Sequence, residues 1–429
     1  MFVLQGKKTE AGIREQSEID SIVECLEEKG YVPVLRSMLR AACDSVHLSS
    51  NTLQVDSLVS VPRFRHRASP ESSPMGDVLC HDDNLFLVHS QKRGFAVWEV
   101  RNHKKRSELE TIVSHVESAM KSRLDGRRVR GMAFDWRDTD PLRRRRHFRT
   151  GQFQEEKLET KAPEFSDEQV EQAKVLVSKE HRELLLRLAQ IGKARRVDTA
   201  AIPDNEIAQP LLDRGLIQKE YLVICREDSR TLCTVPEKRS LDDSAGSQLR
   251  CATCRRKYKD ELIEEIYSLT EEAKGLIGGS HWMTIWVTSL LRAAGTPMER
   301  IKWNAAAGND ELDIIAEVQG MNVFFELKDR EFGLGDAYPF SSRIERYGGN
   351  VGVILTMDKV ATEAENFIRE QAEKGIARMK YLEGKDPIDE GVPELVEEVS
   401  RTSVEMFFSE FTEELGIGVL PVLRSWLRK

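Results

Sequence analysis

The chain has 429 residues, of which 40% are hydrophobic and 32% charged, and its formal net charge is −8. That length predicts a few domains with ordinary apolar cores. No apolar run reaches the roughly 18 residues that cross a bilayer, and the first residues lack the charged start, apolar stretch and cleavage site of a secretory leader, so a cytoplasmic protein without membrane contact is expected.

The net acidity does not exclude nucleic acid, because the charge is uneven. Residues 101–150 hold 15 Lys/Arg against 7 Asp/Glu and end in the run Arg143, Arg144, Arg145, Arg146, whereas residues 383–415 hold 2 against 11. Local patches decide phosphate attraction. A solvated face accounts for either run equally well.

In chain order, residues 1–140 predict an α/β domain. Helices are expected over 17–28, 34–44 and 107–124, and strands over 52–61, 85–89, 94–100 and 129–136. A Pro/Ser-rich loop covers 62–74. Residues 141–164 are charged, contain Pro141, Gly151 and Pro163, and predict a linker. Residues 165–222 predict two helices, with Ser166 as N-cap, then a further helical stretch and a short ribbon, an order that loosely resembles a winged helix. A plain helical connector fits the same pattern.

Residues 223–260 hold four of the seven cysteines. Cys251-Ala-Thr-Cys254 has the spacing at which two thiolates chelate one tetrahedral ion while backbone N–H groups of the turn stabilise the sulfur charge. Cys225 and Cys233 are seven residues apart in the intervening count and form the less regular half. The expectation is a structural Zn²⁺ ribbon with Cys225, Cys233, Cys251 and Cys254 as ligands. Buried free thiols are the alternative. An odd cysteine count with one cluster suits a reducing compartment better than a disulfide framework.

The stretch 308–333 carries the chemistry. Two β-rich runs flank Gln319-Gly320-Met321-Asn322, a turn signal, so a hairpin is predicted. With the turn centred between Gly320 and Met321, Asp313 falls opposite Lys328 and Ile315 opposite Glu326. Cross-strand partners and residues two apart share a face. Asp313, Glu326 and Lys328 therefore converge on one side, and Ile314, Ala316, Val318, Val323, Phe325 and Leu327 form an apolar opposite side. Two close carboxylates call for a cation between them, and hard oxygen ligands favour Mg²⁺ or Mn²⁺. The Leu327 carbonyl is a third candidate ligand.

Asp313-x12-Glu326-Leu327-Lys328 resembles the PD-(D/E)XK nuclease superfamily, the restriction-endonuclease-like fold. The surrounding order matches over about residues 275–380: a helix at 281–295, a strand at 301–303, the hairpin, a strand at 350–356 and a helix at 362–375. The resemblance implies Asp313 and Glu326 as metal ligands, Lys328 as the catalytic lysine, and a nucleic-acid substrate, DNA rather than RNA. It departs from the family at Thr284, where many members carry a helix glutamate, and at Leu312, where proline is common. Arg343, Arg346 and Tyr347, on the following helix, are candidates for holding phosphate or stacking on bases. Asp56 with Trp98-Glu99-Val100-Arg101 resembles a second, decayed copy in the N-terminal domain.

The expected architecture is thus α/β and multi-domain. It has an N-terminal α/β domain, a winged-helix-like connector, a zinc ribbon, a nuclease-like domain over 261–382 with a mixed central sheet flanked by helices, and an acidic helical tail over 383–429. The expected activity is endonuclease-type phosphodiester hydrolysis. A non-catalytic nucleic-acid-binding or scaffold protein that keeps the fold is the rival, and a protein partner or self-association stays open.

Overall fold

The computed structural model describes residues 1–10, 13, 16–34, 76–91, 94–123, 134–139, 158–191, 193–195, 205–243, 246–308, 310–374, 378–415, 423–424 and 426–427. The predicted strand at 52–61 with Asp56, nearly all of the predicted helix at 34–44, and Arg143–Arg146 lie outside these. The described chain is α/β, with three sheets and their packed helices.

The N-terminal part runs β1 (Phe2–Thr9), α1 (Gln16–Glu27), β2 (Val32–Pro33), β3 (Gly76–His81), β4 (Asn84–Gln91), β5 (Gly94–Asn102), α2 (Leu109–Arg123) and β6 (Arg137–Thr139). Its sheet has the order β2-β3-β4-β5-β1-β6 and is antiparallel throughout. Strict alternation sends Leu79, Phe86, Val88, Phe95 and Val97 to one face, where Ile19, Ile22 and Leu26 of α1 and Ile112, Val116 and Met120 of α2 cover them. Val78, Leu85, Leu87, Trp98 and Val100 go to the other face. The opening residues, read from sequence only for the absence of a leader, form a strand inside this sheet, between β5 and β6.

The middle part runs β7 (Glu159–Lys161), α3 (Asp167–Val175), α4 (Lys179–Ile191), β8 (Lys193–Arg195), α5 (Asn205–Asp213), β9 (Ile217–Ile224), β10 (Thr231–Val235) and β11 (Leu262–Leu269). Ser166 caps α3 in a reciprocal capping box with Gln169, as its sequence predicts. β9 and β11 pair antiparallel over their full length, from Ile217↔Leu269 to Ile224↔Leu262, in a sheet of order β10-β9-β11-β8. The cysteine-bearing lobe fills the connection at the far end of that ribbon. Residues 141–157 of the predicted linker lie outside the described residues; β6 joins the first sheet just before it, and β7 pairs with the third sheet near its end.

The C-terminal part runs α6 (Glu271–Ile277), α7 (His281–Ala293), β12 (Ile301–Ala307), β13 (Asp310–Val318), β14 (Met321–Lys328), α8 (Leu334–Tyr347), β15 (Val351–Thr356), α9 (Thr362–Glu373), β16 (Met379–Glu383) and α10 (Lys385–Leu415). The sheet order is β16-β15-β14-β13-β12-β7, with β14, β15 and β16 parallel and the remaining pairs antiparallel. α7 and the first half of α10 pack on the face of Ile314, Ala316, Val323 and Phe325. α8 and α9 pack on the face of Ile315, Phe324 and Ile354.

The acidic C-terminal stretch forms α10, which packs against two sheets. Ile388, Val392, Val396 and Val399 of α10 lie in the core of the third sheet, and Val404, Phe407 and Phe408, further along the same helix, lie in the core of the first. Exposed Glu390, Glu394 and Glu398 occupy the outer side of a strut that joins the two sheets. No helix among the described residues is long and apolar enough to cross a membrane.

Candidate active site

β13 and β14 form the predicted hairpin, with the predicted faces and a different register. The turn is Gln319-Gly320, with φ of 48° and 78°, so Val318 pairs with Met321 and Ile315 with Phe324. Two consecutive left-handed residues make the tight connection favoured between twisted strands. The partners are two residues from the expected ones, a shift that leaves every side chain on its own face.

The site forms where the two strands part. Their ladder ends at Ile314↔Phe325 although both strands continue. The backbone N–H of Leu327 donates instead to Asp313 Oδ2 at 2.7 Å. Beside it, Glu326 is 5% exposed. Lys328 Nζ lies 2.9 Å from Glu326 Oε1, and Arg343 Nη1 lies 3.1 Å from Oε2. The three residues singled out from sequence are thus brought together. Burial, with the charge of Glu326 adding to it, pushes the Asp313 carboxyl up to about 7. Burial opposes the charge on Lys328, but Glu326 and Asp313 outweigh it and hold the ammonium above its usual range.

α8 supplies the surround. Its start is set by Asp336, which accepts from the Gly333 N–H and pairs with Arg330 at 3.0 Å. Helix therefore begins at Leu334. Of the accessory residues named from sequence, Arg343 is turned onto Glu326, while Tyr347 donates to Asp310 Oδ2 at 2.9 Å and Arg346 pairs with the same oxygen at 2.5 Å. Asp310, at the open end of β13, ties the helix to the hairpin and was not anticipated. Its partners are more than 30 residues away, so no local pattern announces it. Thr284 is buried on α7, a helix without an acidic residue.

A second group comes from the cysteine lobe. Cys225, Cys251, Cys254 and Glu261 bring one ligand atom each within 4.8 Å of the others, a set able to hold a metal ion. Cys233, the fourth thiol expected from sequence, is not among them. It lies on β10 opposite Val223, an inward step along the strand from the lobe, and Glu261 takes the fourth position. His81, Asp82 and Glu108 form a further metal-capable group at the β3–β4 turn, where His81 Nδ1 meets Glu108 Oε2 at 2.8 Å.

The predicted echo in the N-terminal sheet resolves differently. Glu99 is fully buried and accepts from Gln5 Nε2 (2.7 Å), Ser107 Oγ (2.7 Å), the Glu108 N–H (2.7 Å) and Asn84 Nδ2 (3.2 Å). Arg101 donates to backbone carbonyls, including that of Lys105 at 2.8 Å. The carboxylate anchors the chain at the entry to α2, where an anion is favoured.

No family model and no curated protein matches this chain. Among solved structures, protein VC1899 from Vibrio cholerae aligns at 16% identity with a TM-score of 0.26, over 56% of this chain and 57% of its own length. The alignment thus spans little more than half of that protein, and a superposition so loose carries no statement about fold or activity here.

Proposed function

We propose that this protein is a divalent-metal-dependent nuclease with the restriction-endonuclease-like arrangement in its C-terminal part, hydrolysing phosphodiester bonds in DNA. The observation that carries this is the convergence of Asp313, Glu326 and Lys328 at the point where β13 and β14 separate. The donor set fits Mg²⁺ or Mn²⁺: two hard carboxylates, one of them raised because it is buried against the other. Asp313 and Glu326 would hold the ion, with the Leu327 carbonyl as a further oxygen. When bound, such an ion supplies Lewis acidity at the phosphate and lowers the pKa of nearby water.

The chain's own residues then do the following. Lys328, held protonated, orients the attacking water and offsets charge on the phosphoryl oxygens. The water oxygen bonds to phosphorus and gives up a proton to solvent as the bond to the leaving deoxyribose oxygen breaks, and that oxygen takes up a proton from solvent. Arg343 holds Glu326 in place from α8. Exposed Arg250, Arg255 and Arg256, at the ribbon end, are suited to backbone phosphates.

A second reading has one observation in its favour. Both oxygens of Glu326 already meet cations, Lys328 and Arg343, so the site also suits a binding protein that keeps the arrangement without the chemistry. The deciding experiment is cleavage of plasmid and single-stranded DNA with Mg²⁺ or Mn²⁺, comparing the natural chain with Lys328→Ala and Asp313→Ala. Cutting by the natural chain alone supports the nuclease. Three inert proteins that bind DNA equally support the second reading. Equal cutting by all three sinks the assignment.

A further inference from the structure

The cysteine lobe contains two turns of the same construction. In the first, the Cys225 N–H donates to Arg230 O (2.9 Å), the Ser229 N–H donates to Cys225 O (2.9 Å), and Ser229 has φ 57°. In the second, the Cys251 N–H donates to Arg256 O (2.8 Å), the Arg255 N–H donates to Cys251 O (2.9 Å), and Arg255 has φ 63°. Each turn aims two backbone N–H groups at its leading sulfur: those of Glu227 and Asp228 at Cys225, and those of Thr253 and Cys254 at Cys251. N–H groups pointed at a sulfur stabilise a thiolate, the form that binds metal. A pair of such turns facing each other is a construction for presenting thiolates to one ion.

The turns differ at their fourth residue, which is Cys254 in the second and Asp228 in the first. Asp228 accepts from the Arg230 N–H at 3.0 Å and Thr253 Oγ1 at 3.1 Å and also meets the Cys225 side chain, but it is not among the four groups that converge. Glu261, at the start of the return strand, fills the gap. It is 2% exposed, its Oε1 lies 2.7 Å from Cys254 Sγ, and its Oε2 accepts the Arg226 N–H at 2.9 Å. That second bond leaves one oxygen for an ion. The sulfurs are spaced for it as well. Cys225 Sγ lies 3.5 Å from Cys251 Sγ and 3.8 Å from Cys254 Sγ, where tetrahedral thiolates about 2.3 Å from zinc would be about 3.8 Å apart.

A separate observation asks for a staple. Between residues 225 and 261, the buried apolar side chains among the described residues are Leu241 and the two cysteines Cys225 and Cys251. Apart from β10, that lobe holds only single 3₁₀ turns. A segment with so little core needs a cross-link to keep one shape.

We propose that Cys225, Cys251, Cys254 and Glu261 form a structural zinc(II) site that folds the lobe at the end of the β9–β11 ribbon, with Cys233 taking no part. Three soft thiolates favour zinc over the hard ions suited to Asp313 and Glu326. Four protein ligands leave no open position, so the ion is structural and does no chemistry. On binding, the thiols release their protons to solvent.

The test uses the full chain, purified reduced with zinc in the growth medium, and reads metal content by elemental analysis. The expected result is one zinc per chain, lost in Cys225→Ser and Cys251→Ser and kept in Cys233→Ser. Glu261→Gln should release zinc to a competing chelator at least about 10-fold more readily, whereas Asp228→Asn should not. Because the cysteine variants could misfold, the natural chain is also stripped and titrated with Co²⁺, where the intense visible bands of a tetrahedral thiolate site are expected. Weak octahedral-type absorption, no metal after reconstitution, or zinc loss in Cys233→Ser would overturn the site. Unchanged chelator resistance in Glu261→Gln would overturn the fourth ligand.

Discussion

The molecule contains two buried glutamates in the same local sequence setting, with opposite surroundings. Glu99-Val100-Arg101 ends β5, and Glu326-Leu327-Lys328 ends β14. Around Glu99, amide, hydroxyl and backbone donors take both oxygens, and the arginine sends Nη1 to carbonyls while its Nε stands 3.6 Å from Glu99 Oε2. Around Glu326, a second carboxylate stands alongside and the neighbouring lysine turns inward. The first arrangement is satisfied and gives α2 its starting point. The second leaves like charges close together in a buried place, which is costly unless a cation joins them. A Glu-x-basic pattern on a strand therefore says little until its neighbours are known.

The largest expected difference is in activity. Asp313→Ala and Lys328→Ala should each lower DNA cleavage by roughly 10³-fold, while Arg101→Ala should leave the rate of plasmid nicking unchanged. Loss of cleavage on changing Arg101 would mean that the N-terminal sheet takes part in the chemistry and would end the comparison in its present form.

Stability should show the reverse order. Glu99→Gln places an amide NH₂ among donors that need an acceptor, and should cost about 2–3 kcal/mol. Glu326→Gln removes repulsion from Asp313 as well as two ion pairs, so its net effect should stay within about 1 kcal/mol. Chemical denaturation in EDTA, followed separately for each transition, measures both. Equal losses would show that Glu326 is as much a structural anchor as Glu99.

The pH dependence sharpens the contrast. The folded-state pKa of Asp313, about 7, lies above the unfolded value of about 3.9. Between those values the folded chain binds the extra proton, so metal-free stability should fall as pH rises through that window. Asp313→Asn should flatten the fall, and added Mn²⁺ should reverse it, with Mn²⁺ binding tightening as pH rises towards and past 7. A natural chain and variant whose melting temperatures in EDTA track each other from pH 5 to pH 8 would remove the repulsion argument.

What could be read from sequence follows the range of the interaction. The two faces of the hairpin were legible because alternation is local, and they survived a two-residue error in register that came from taking Gln319-Gly320-Met321-Asn322 as the turn. The thiols of the lobe were legible in part. Cys251-x2-Cys254 has a counterpart in Cys225-x2-Asp228, but only the backbone bonds reveal that the two turns match. Asp310, Glu261 as a ligand, and the donors around Glu99 depend on contacts between distant segments, which composition and spacing do not encode. The acidic stretch was legible as a helix from its sequence, whereas the packing of its apolar residues on two sheets was not.

The smallest expected effect concerns that junction. β6 covers β1 only from Gly6 to Lys8, so the earlier N–H groups of β1 need other partners. The Phe2 N–H finds Ser400 Oγ at 3.0 Å, and the Leu4 N–H finds Gln319 Oε1 at 3.1 Å, in the turn of the β13–β14 hairpin. Ser403 Oγ holds the same residue through its carbonyl at 2.5 Å. Gln319→Ala removes one neutral hydrogen bond and should cost about 1 kcal/mol. Gln319→Gly should recover part of this, because φ is positive there and glycine adopts such a backbone without strain. Mn²⁺ affinity should stay unchanged in both variants, since the ladder from Val318↔Met321 to Ile314↔Phe325 separates the turn from the carboxylates. A weakened Mn²⁺ site in Gln319→Ala would mean that docking on β1 sets the geometry of the hairpin, and that the two buried glutamates belong to one coupled structure.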